Sequence, residues 1–461
     1  MALASSLIAM SAIAATTTDV TNPVDWFAEG EAHGNIKYYF IETQKKNSGS
    51  DDFKAYANSI GGKLGYKTAK LYGFSLGATF MTTNPFALPS TVDTSIIGKD
   101  NGVQGTEDPE EGFSVLGEAY LDYQVQGFDI WYGRRIEKTP LVNPKEVRMI
   151  PSSIEGGDVS YSFENGLKIG GGYLDKFKQR TSSRFVNIVE HALGAQTELI
   201  TGHKTGNVLP AYLEWHNAHH SVRLYNYYSK DFMNMTYFDA VHKHQVNEDL
   251  TWFAGLQGMH QHGIGHSTGV METQIDPTTG ELAYGGKING RFFGLKAGAT
   301  YAESSFLLAY TNVLGSRENE HNSLALPWDG TPLFSDTITS NDLFTSNYGK
   351  GLTSSAGYIA GTSGFKAGYT QKYDFTGVNG FKSVLSYAYF DNSNFANAQQ
   401  DINLVLAYGV SDFSLALKGI WVNNNTNNTA ADTDSKANET GSSITQIDKL
   451  SQYRVIANWK F

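Results

Sequence analysis

The sequence predicts an all-β fold, an 18-stranded antiparallel transmembrane β-barrel with long external loops. Two observations support this prediction. Segments of about ten residues alternate between apolar and polar side chains and end at Gly, Asn or Asp. The composition also suits a wall that meets lipid on one face and water on the other, with 26 Tyr, 26 Phe and 48 Gly among 461 residues. No run of about 18 apolar residues could form a membrane-spanning helix.

The number of strands follows from counting these segments and from the lengths of their connections. A nineteenth candidate, 354–362, reads equally well as a loop. With 18 strands, every short connection falls on the periplasmic side and the long ones fall outside, whereas a nineteenth strand would put 424–449 on the wrong side. The strands are predicted at 32–42, 55–66, 70–81, 113–124, 127–135, 155–164, 166–176, 208–216, 219–229, 232–242, 249–260, 286–301, 304–314, 364–374, 380–391, 399–409, 412–423 and 450–461.

The two ends of the chain indicate how it is targeted. Residues 1–15 resemble a signal peptide without its basic start, which leaves open a start upstream of Met1; the alternative is a disordered apolar tail. Residues 16–31 are then a periplasmic N-terminal segment and 32–461 the barrel. The last strand alternates up to Trp459 and Phe461, which resembles the assembly signal of bacterial outer-membrane barrels. An ordinary edge strand is the alternative, but we expect Phe461 to contact the outer-membrane assembly machinery.

Several other functions are disfavoured by the sequence. The absence of Cys excludes disulfides and thiolate metal sites, and a net charge of -11 without a basic stripe argues against nucleic-acid binding. Eight of the twelve histidines lie between His216 and His266, but the predicted topology spreads them over two periplasmic turns and the opposite rim, so we expect no metal site. The G-x-S-x-G match at 265–269 falls in a predicted external loop, where no nucleophile elbow forms. We therefore expect no cofactor, no catalytic residue and no enzyme.

Five short motifs, in order along the chain, carry a family resemblance. They are the opening 34–40, the series 113–121 and 131–135, the loop 139–156 with Arg148-Met149-Ile150-Pro151-Ser152, the segment Leu326-Pro327-Trp328-Asp329-Gly330, and the closing 454–461. Together they resemble the OprD-type family of substrate-selective outer-membrane porins. The resemblance implies 18 strands and a constriction made by loops 3 and 7, which fold into the lumen, with Pro327, Trp328 and Asp329 in loop 7. It also implies small carboxylate-bearing solutes drawn along a ladder of basic residues.

The third loop supplies the charges expected at the constriction. Opposite charges that face each other across a narrow pore create a transverse field that orients an anion or a zwitterion. The alternative is that these charges are solvated on the outer rim. The predicted constriction residues are Arg134, Arg135, Lys138, Arg148 and Glu146.

A ladder of basic residues is predicted from alternation along the strands. A cation on the lipid face near the midplane costs roughly 2–4 kcal/mol, so these side chains should point to the lumen. Plain water-facing lining is an equally good interpretation. The chain departs from the family because it has nine Arg and far more Lys, and lysine lacks the planar fork that binds a carboxylate. Alternation also directs Glu118 and Asp122 to the lumen. The ladder comprises Lys37, Lys168, Lys296, Lys366, Lys372, Lys382, Lys418 and Arg454.

The sequence thus predicts a bacterial outer-membrane porin for passive diffusion of small hydrophilic solutes, small carboxylates or amino acids above all. A surface or adhesin barrel with a structural role is the first alternative, and an outer-membrane barrel hydrolase is the second. Expected partners are these solutes, membrane lipid and lipopolysaccharide, with a monomer or a loose trimer as the oligomeric state.

Overall fold

The computed structural model describes residues 19–47, 53–86, 112–194, 197–270, 288–315, 323–338, 356–392, 398–423 and 447–461. Within these ranges the chain forms a closed antiparallel β-barrel of 18 strands. The strands are β1 Glu31–Asn47, β2 Phe53–Lys67, β3 Phe74–Pro85, β4 Phe113–Val125, β5 Phe128–Arg135, β6 Ser153–Ser162, β7 Leu167–Lys178, β8 Leu209–His216, β9 His220–Ser229, β10 Met233–Gln245, β11 Leu250–Gly263, β12 Arg291–Tyr301, β13 Ser304–Leu314, β14 Ser363–Lys372, β15 Phe381–Asp391, β16 Gln399–Val410, β17 Phe413–Asn423 and β18 Ile447–Lys460.

The barrel closes because its first and last strands pair. Asn35 of β1 lies opposite Lys460 of β18 in an antiparallel register. Phe461 exchanges two backbone hydrogen bonds with Gly34, at 3.0 and 3.2 Å, so the seam is paired up to the last residue. Every other wall strand pairs antiparallel with its neighbours along the chain. Closure leaves no wall strand with an unpaired edge.

Each of the 18 predicted strands overlaps one observed strand, and the candidate at 354–362 contains a short 3-10 turn, Ala356–Tyr358, instead of a strand. Strand β3 is shifted at both ends, since it was predicted at 70–81 and spans Phe74–Pro85. The chain turns at Tyr72 and Gly73, where both φ angles are positive, at 51° and 85°. That conformation suits a two-residue hairpin turn, so the strand begins after it.

The two faces of the wall differ in chemistry. On β12, Phe293 and Leu295 are 41% and 53% exposed, whereas Phe292, which precedes them, is 3% exposed. Alternation of this kind places one set of side chains on the exposed apolar surface, here called the outer face, and the other set on the inner face. The outer face is therefore the surface suited to lipid, and the inner face borders the lumen.

The helices are short and lie in the N-terminal segment and the loops, so they are not part of the barrel wall. They are α1 Pro23–Ala28, α2 Ile188–Leu193, α3 Thr197–Thr201 and α4 His266–Val270. The Asn22 side chain caps α1 by accepting from the backbone N–H groups of Val24 and Asp25. Among the described residues, no helix has the length and apolar character needed to cross a membrane.

The largest buried cluster joins three loops to the inner face of the wall. Loop 3 (136–152) contributes Leu141, loop 4 (179–208) contributes Ile188 and loop 7 (315–362) contributes Trp328. They pack with Tyr227 and Phe292, which are inner-face residues of β9 and β12. Burial of this apolar surface holds the three loops together against the inner face of the wall.

Candidate functional site

Residues 145–148 of loop 3, here called the loop 3 tip, contact β1. The Lys37 ammonium donates a hydrogen bond to the Arg148 carbonyl oxygen at 3.2 Å. The Tyr39 hydroxyl donates to the Val147 carbonyl oxygen at 3.0 Å. Lys37 and Tyr39 are inner-face residues, 7% and 1% exposed. The tip is therefore attached to the wall through its backbone.

The same tip carries Glu146, which lies between two lysines. The Glu146 carboxylate is 3.1 Å from the Lys63 ammonium and 3.6 Å from that of Lys37. Burial opposes ionisation of Glu146, but the two ammonium groups outweigh it and hold the pKa of the carboxyl well below its usual range. The side chain is 46% exposed, so water screens part of this attraction.

A buried arginine orders the tyrosine that holds the tip. Arg454 on β18 is 1% exposed and donates through Nε to Gln452 at 2.6 Å. Its Nη1 donates to the Tyr39 hydroxyl at 3.2 Å. That hydroxyl donates in turn to loop 3, so a continuous series of hydrogen bonds runs from the wall to the loop 3 tip.

Loops 3, 4 and 7 meet at one carboxylate, Asp329. The Ser152 hydroxyl donates to its Oδ2 and the Arg180 guanidinium to its Oδ1, both at 2.7 Å. The Arg180 and Asp329 side chains are 8% and 4% exposed. Burial disfavours the Asp329 anion, but Arg180, Lys145 and the Ser152 hydroxyl together outweigh burial and lower the pKa of Asp329.

The residue before this carboxylate completes the junction. Trp328 is fully buried, and its indole N–H donates to the Ile188 carbonyl oxygen of loop 4 at 2.9 Å. The Asn143 N–H of loop 3 donates to the Trp328 carbonyl oxygen at 3.1 Å. Asp329 has a φ of 61°, and Gly330 after it lies so close to the Leu141 backbone that a Cβ atom there would clash. The predicted loop 7 residues Pro327, Trp328 and Asp329 therefore sit at the junction of three loops.

The far end of loop 7 contacts the inner face of β14 and β16. The Lys366 ammonium on β14 donates to the Asp336 carbonyl oxygen. On β16, Asp401 accepts from the Thr337 hydroxyl at 2.9 Å, and Asn403 accepts from the Ile338 N–H at 2.8 Å. Loop 7 thus bridges from β13 to β16.

Asp336, the loop 7 carboxyl nearest this contact, has a raised pKa. Asp336 is buried, and burial raises its pKa to about 6. Nearby, the Lys296 ammonium of β12 lies 4.1 Å from the centre of the Phe334 ring. The ring attracts the cation through its quadrupole but carries no net charge, so it does not cancel the positive charge of the lysine.

The structure divides the predicted constriction residues into two groups. Arg148 and Glu146 lie at the loop 3 tip. Arg134 and Arg135 end β5 instead; Arg134 pairs with Glu155 at 2.7 Å and Arg135 with Glu137 at 3.1 Å. Lys138 is exposed. The structure therefore does not bring these last three side chains to the loop 3 tip.

The predicted ladder residues all lie on the inner face. Around the barrel their order is Lys168 on β7, Lys296 on β12, Lys366 and Lys372 on β14, Lys382 on β15, Lys418 on β17, Arg454 on β18 and Lys37 on β1. In register, Lys372 is opposite Lys382 and Lys418 is opposite Arg454. Lys168 lies apart from the others, 5.7 Å from the centre of the Tyr212 ring.

Most of the inner-face carboxylates were not predicted from the sequence. Besides the expected Asp122, the inner face carries Asp158, Glu214 and Asp239 on β6, β8 and β10. Alternation could have found them, since each lies between outer-face neighbours. Their partners are Lys67 for Asp122 at 2.9 Å, Tyr212 for Asp158 at 2.8 Å, Tyr225 for Glu214 at 2.6 Å and Arg223 for Asp239 at 2.6 Å.

One histidine prediction needs correction. His220 and His242 were assigned to separate periplasmic turns, but β9 and β10 pair and place them directly opposite each other. Their Nε2 and Nδ1 atoms are 3.1 Å apart. Within the described ranges, no group of three or more His, Asp or Glu side chains could hold a metal ion.

The serine of the G-x-S-x-G match hydrogen-bonds to the backbone. Ser267 is fully buried at the start of α4, and its hydroxyl hydrogen-bonds to the Phe232 and Ile264 carbonyl oxygens, at 2.6 and 2.9 Å. These contacts fasten α4 to the turn between β9 and β10.

Comparison with known proteins gives a consistent result. The model of a family described as outer membrane porin, OprD family, matches residues 27–442. Among solved structures, OccK8 (OprE) of Pseudomonas aeruginosa superposes with a TM-score of 0.70 at 15% identity, covering 95% of this chain and 99% of that one. OccAB1 of Acinetobacter baumannii gives 0.70 at 13% identity, with 97% and 99% covered. OpdK of Pseudomonas aeruginosa with vanillate gives 0.67 at 14% identity, with 95% and 99% covered. No curated protein sequence matches the chain significantly.

Proposed function

Because the chain belongs to the OprD family of outer membrane porins, we propose that it is a passive channel that favours small carboxylates and amino acids. As a porin it lies in the bacterial outer membrane and passes small solutes. One solved relative, OpdK, holds vanillate, a small carboxylate. Diffusion down a gradient requires an open lumen and a charge pattern that attracts the solute.

The observation that carries the carboxylate preference is the distribution of charge around the inner face. Eight basic residues follow one another from β12 through β18 to β2; they are Lys296, Lys366, Lys372, Lys382, Lys418, Arg454, Lys37 and Lys63, here called the basic wall. Four inner-face carboxylates on β4 to β10 are here called the acidic wall: Asp122, Asp158, Glu214 and Asp239. A solute between the two walls is oriented with its carboxylate towards the basic wall.

The constriction is proposed to form where loops 3 and 7 fold into the lumen. The loop 3 tip holds β1, loop 7 holds β14 and β16, and the two loops meet at Asp329. These contacts support a continuous bar of protein across the barrel, with Arg148 and Glu146 at one end. Arg134, Arg135 and Lys138 are placed by this proposal on its flank.

The test is single-channel recording of the purified barrel in a planar bilayer, with a salt gradient. We expect discrete current steps and a reversal potential that indicates anion preference. No current from protein with the heat-modifiable mobility of a folded barrel would overturn the channel proposal. A cation preference would overturn the carboxylate preference alone.

The same recording tests the bar. Asp329→Ala removes the carboxylate that joins loops 3 and 7, so we expect larger and noisier current steps than in the wild type. Asp249→Ala, in an exposed turn, is the matched control and should leave the steps unchanged. Equal steps in all three proteins would place the constriction elsewhere.

Recognition of Phe461 by the assembly machinery and a monomeric or loosely trimeric state stay predictions.

A further inference from the structure

The outer face of the barrel carries a groove of about 840 Å³ across β9 to β15. Five alanines line it: Ala309 on β13 is buried, and the other four, one each on β10, β11, β12 and β14, are Ala240, Ala254, Ala297 and Ala367. In register, Ala254 lies opposite Ala297. Short side chains on neighbouring strands lower the surface here, whereas a barrel wall is otherwise convex.

Large apolar side chains border the groove. Leu256, Leu295, Leu308 and Phe365 are 48%, 53%, 66% and 52% exposed. They lie on the outer face, which in an outer-membrane barrel meets lipid. A gap between such side chains and the bilayer would forfeit dispersion contacts, so a flexible apolar chain that fills the groove is favoured.

One end of the groove is polar and lies at the membrane boundary. His220 and His242 line it there, with ring nitrogens 3.1 Å apart. Trp215 stacks on His220 with ring centres 5.8 Å apart, and Trp252 lies 5.1 Å from His242. Tryptophans of this kind form the aromatic girdle at the headgroup level. The adjoining turns, 216–220 and 245–250, place this end on the periplasmic side.

We propose that the groove binds one phospholipid of the periplasmic leaflet, with an acyl chain along the alanines and the phosphate at the His220–His242 pair. Imidazole N–H groups are hydrogen-bond donors that suit a phosphate oxygen. His220 Nδ1 contacts Asn217 at 3.3 Å, whereas His242 Nε2 makes no hydrogen bond to the described residues. This nitrogen is the donor assigned to the phosphate. The proposal goes beyond solute transport and needs only the position in the outer membrane.

A second copy of the chain is the competing occupant. It would have to insert a complementary ridge, and it would leave the histidine pair without an anionic partner. A phospholipid satisfies both features at once, because its chain and its phosphate are joined at the depth where the groove meets the aromatic girdle. Continuity of the groove with the lipid-facing surface favours the same occupant.

Native mass spectrometry of the full-length protein tests the proposal. The purified barrel is equilibrated in detergent with phosphatidylethanolamine, or with diacylglycerol of the same chains, and the lipid retained per barrel is counted. Ala297→Phe fills the groove, and Ala78→Phe, at an exposed outer-face alanine of β3, is the matched control. His242→Ala removes the proposed donor. Because Ala297 and Ala78 face outward, both variants should fold and conduct like the wild type.

We expect one phosphatidylethanolamine bound to the wild type and to Ala78→Phe, and an affinity about tenfold lower in Ala297→Phe. His242→Ala should weaken phosphatidylethanolamine without changing diacylglycerol. Equal binding in Ala297→Phe would overturn the groove as the site, and equal binding of both lipids to the wild type would overturn the role of the histidines. A dimer that Ala297→Phe dissociates would show a second copy in the groove and overturn the lipid. None of these outcomes depends on whether the lumen conducts carboxylates.

Discussion

The two walls of the lumen hold their charges in different ways. On the acidic wall, Asp239 accepts from two nitrogens of the Arg223 guanidinium, and Asp122 lies 2.9 Å from the Lys67 ammonium. On the basic wall, Lys296 lies over the Phe334 ring and Lys366 donates to a carbonyl oxygen. Asp122 and Asp239 of the acidic wall are thus paired with cations, whereas Lys296 and Lys366 contact neutral groups.

This difference teaches that the net charge of the chain does not determine the sign of the electrostatic potential inside the lumen. The chain carries -11 overall, yet a solute meets the charges that remain unpaired inside. An ion pair presents a weak field to a distant charge, and a cation held by a ring or a carbonyl oxygen keeps its field. We therefore expect the basic wall to set the selectivity.

The largest expected effect breaks the pairing of the acidic wall. Asp239 is 2% exposed, so Asp239→Asn leaves the Arg223 guanidinium without its anion. We expect the free energy of unfolding to fall by about 2–4 kcal/mol, since removing one partner of a buried pair is costly and Arg223 is partly exposed to water. Urea unfolding followed by tryptophan fluorescence measures this loss. Asp249→Asn, in an exposed turn, should change the free energy by under about 0.5 kcal/mol; equal losses would contradict the comparison.

A medium effect is expected when the basic wall is altered. Lys296 forms no ion pair with a described residue, so Lys296→Glu reverses an unpaired inner-face charge and we expect the anion-to-cation permeability ratio to fall about fivefold, roughly 1 kcal/mol. Reversal potentials in a salt gradient give the ratio. Lys296→Gln, which removes the charge without reversing it, should give an intermediate value. A permeability ratio unchanged in both variants would mean that the charge of Lys296 is neutralised and does not act on the permeating ion.

The smallest expected effect sharpens the comparison at loop 7. Burial raises the pKa of Asp336 to about 6 from 3.8, so ionisation of this carboxyl weakens the attachment of loop 7 above pH 6. As the pH falls from about 6 towards 3.8, the proton returns and the attachment strengthens. We expect current noise to decrease between pH 7 and pH 5 in the wild type. Asp336→Asn should be quiet at both values; noise that persists in this variant would assign the effect to another group.

The strands and their faces could be predicted because both depend on local alternation. Leu295 and Lys296 point in opposite directions whatever surrounds them, so the ladder residues were found on the inner face. The start of β3 could not be predicted, because the turn at Tyr72 requires a positive φ that a tyrosine rarely adopts.

The loop contacts could not be predicted for a different reason. Tyr39 and Val147, or Arg180 and Asp329, are distant in sequence, and nothing periodic in loops 3 and 7 indicates where they meet the wall. Arg134, Arg135 and Arg148 were grouped because they are close in sequence. The structure separates them because the first two still belong to β5.

The seam between β1 and β18 has a consequence for the order in which the barrel is made. Asn35 and Asn458, whose side chains hydrogen-bond across it, are 423 residues apart. A contact of such high order forms late, and until it forms both edge strands offer open backbone groups to any neighbouring chain. A chain that lacks β18 would keep the β1 edge open, so we expect such a truncated chain to aggregate more readily than the closed barrel.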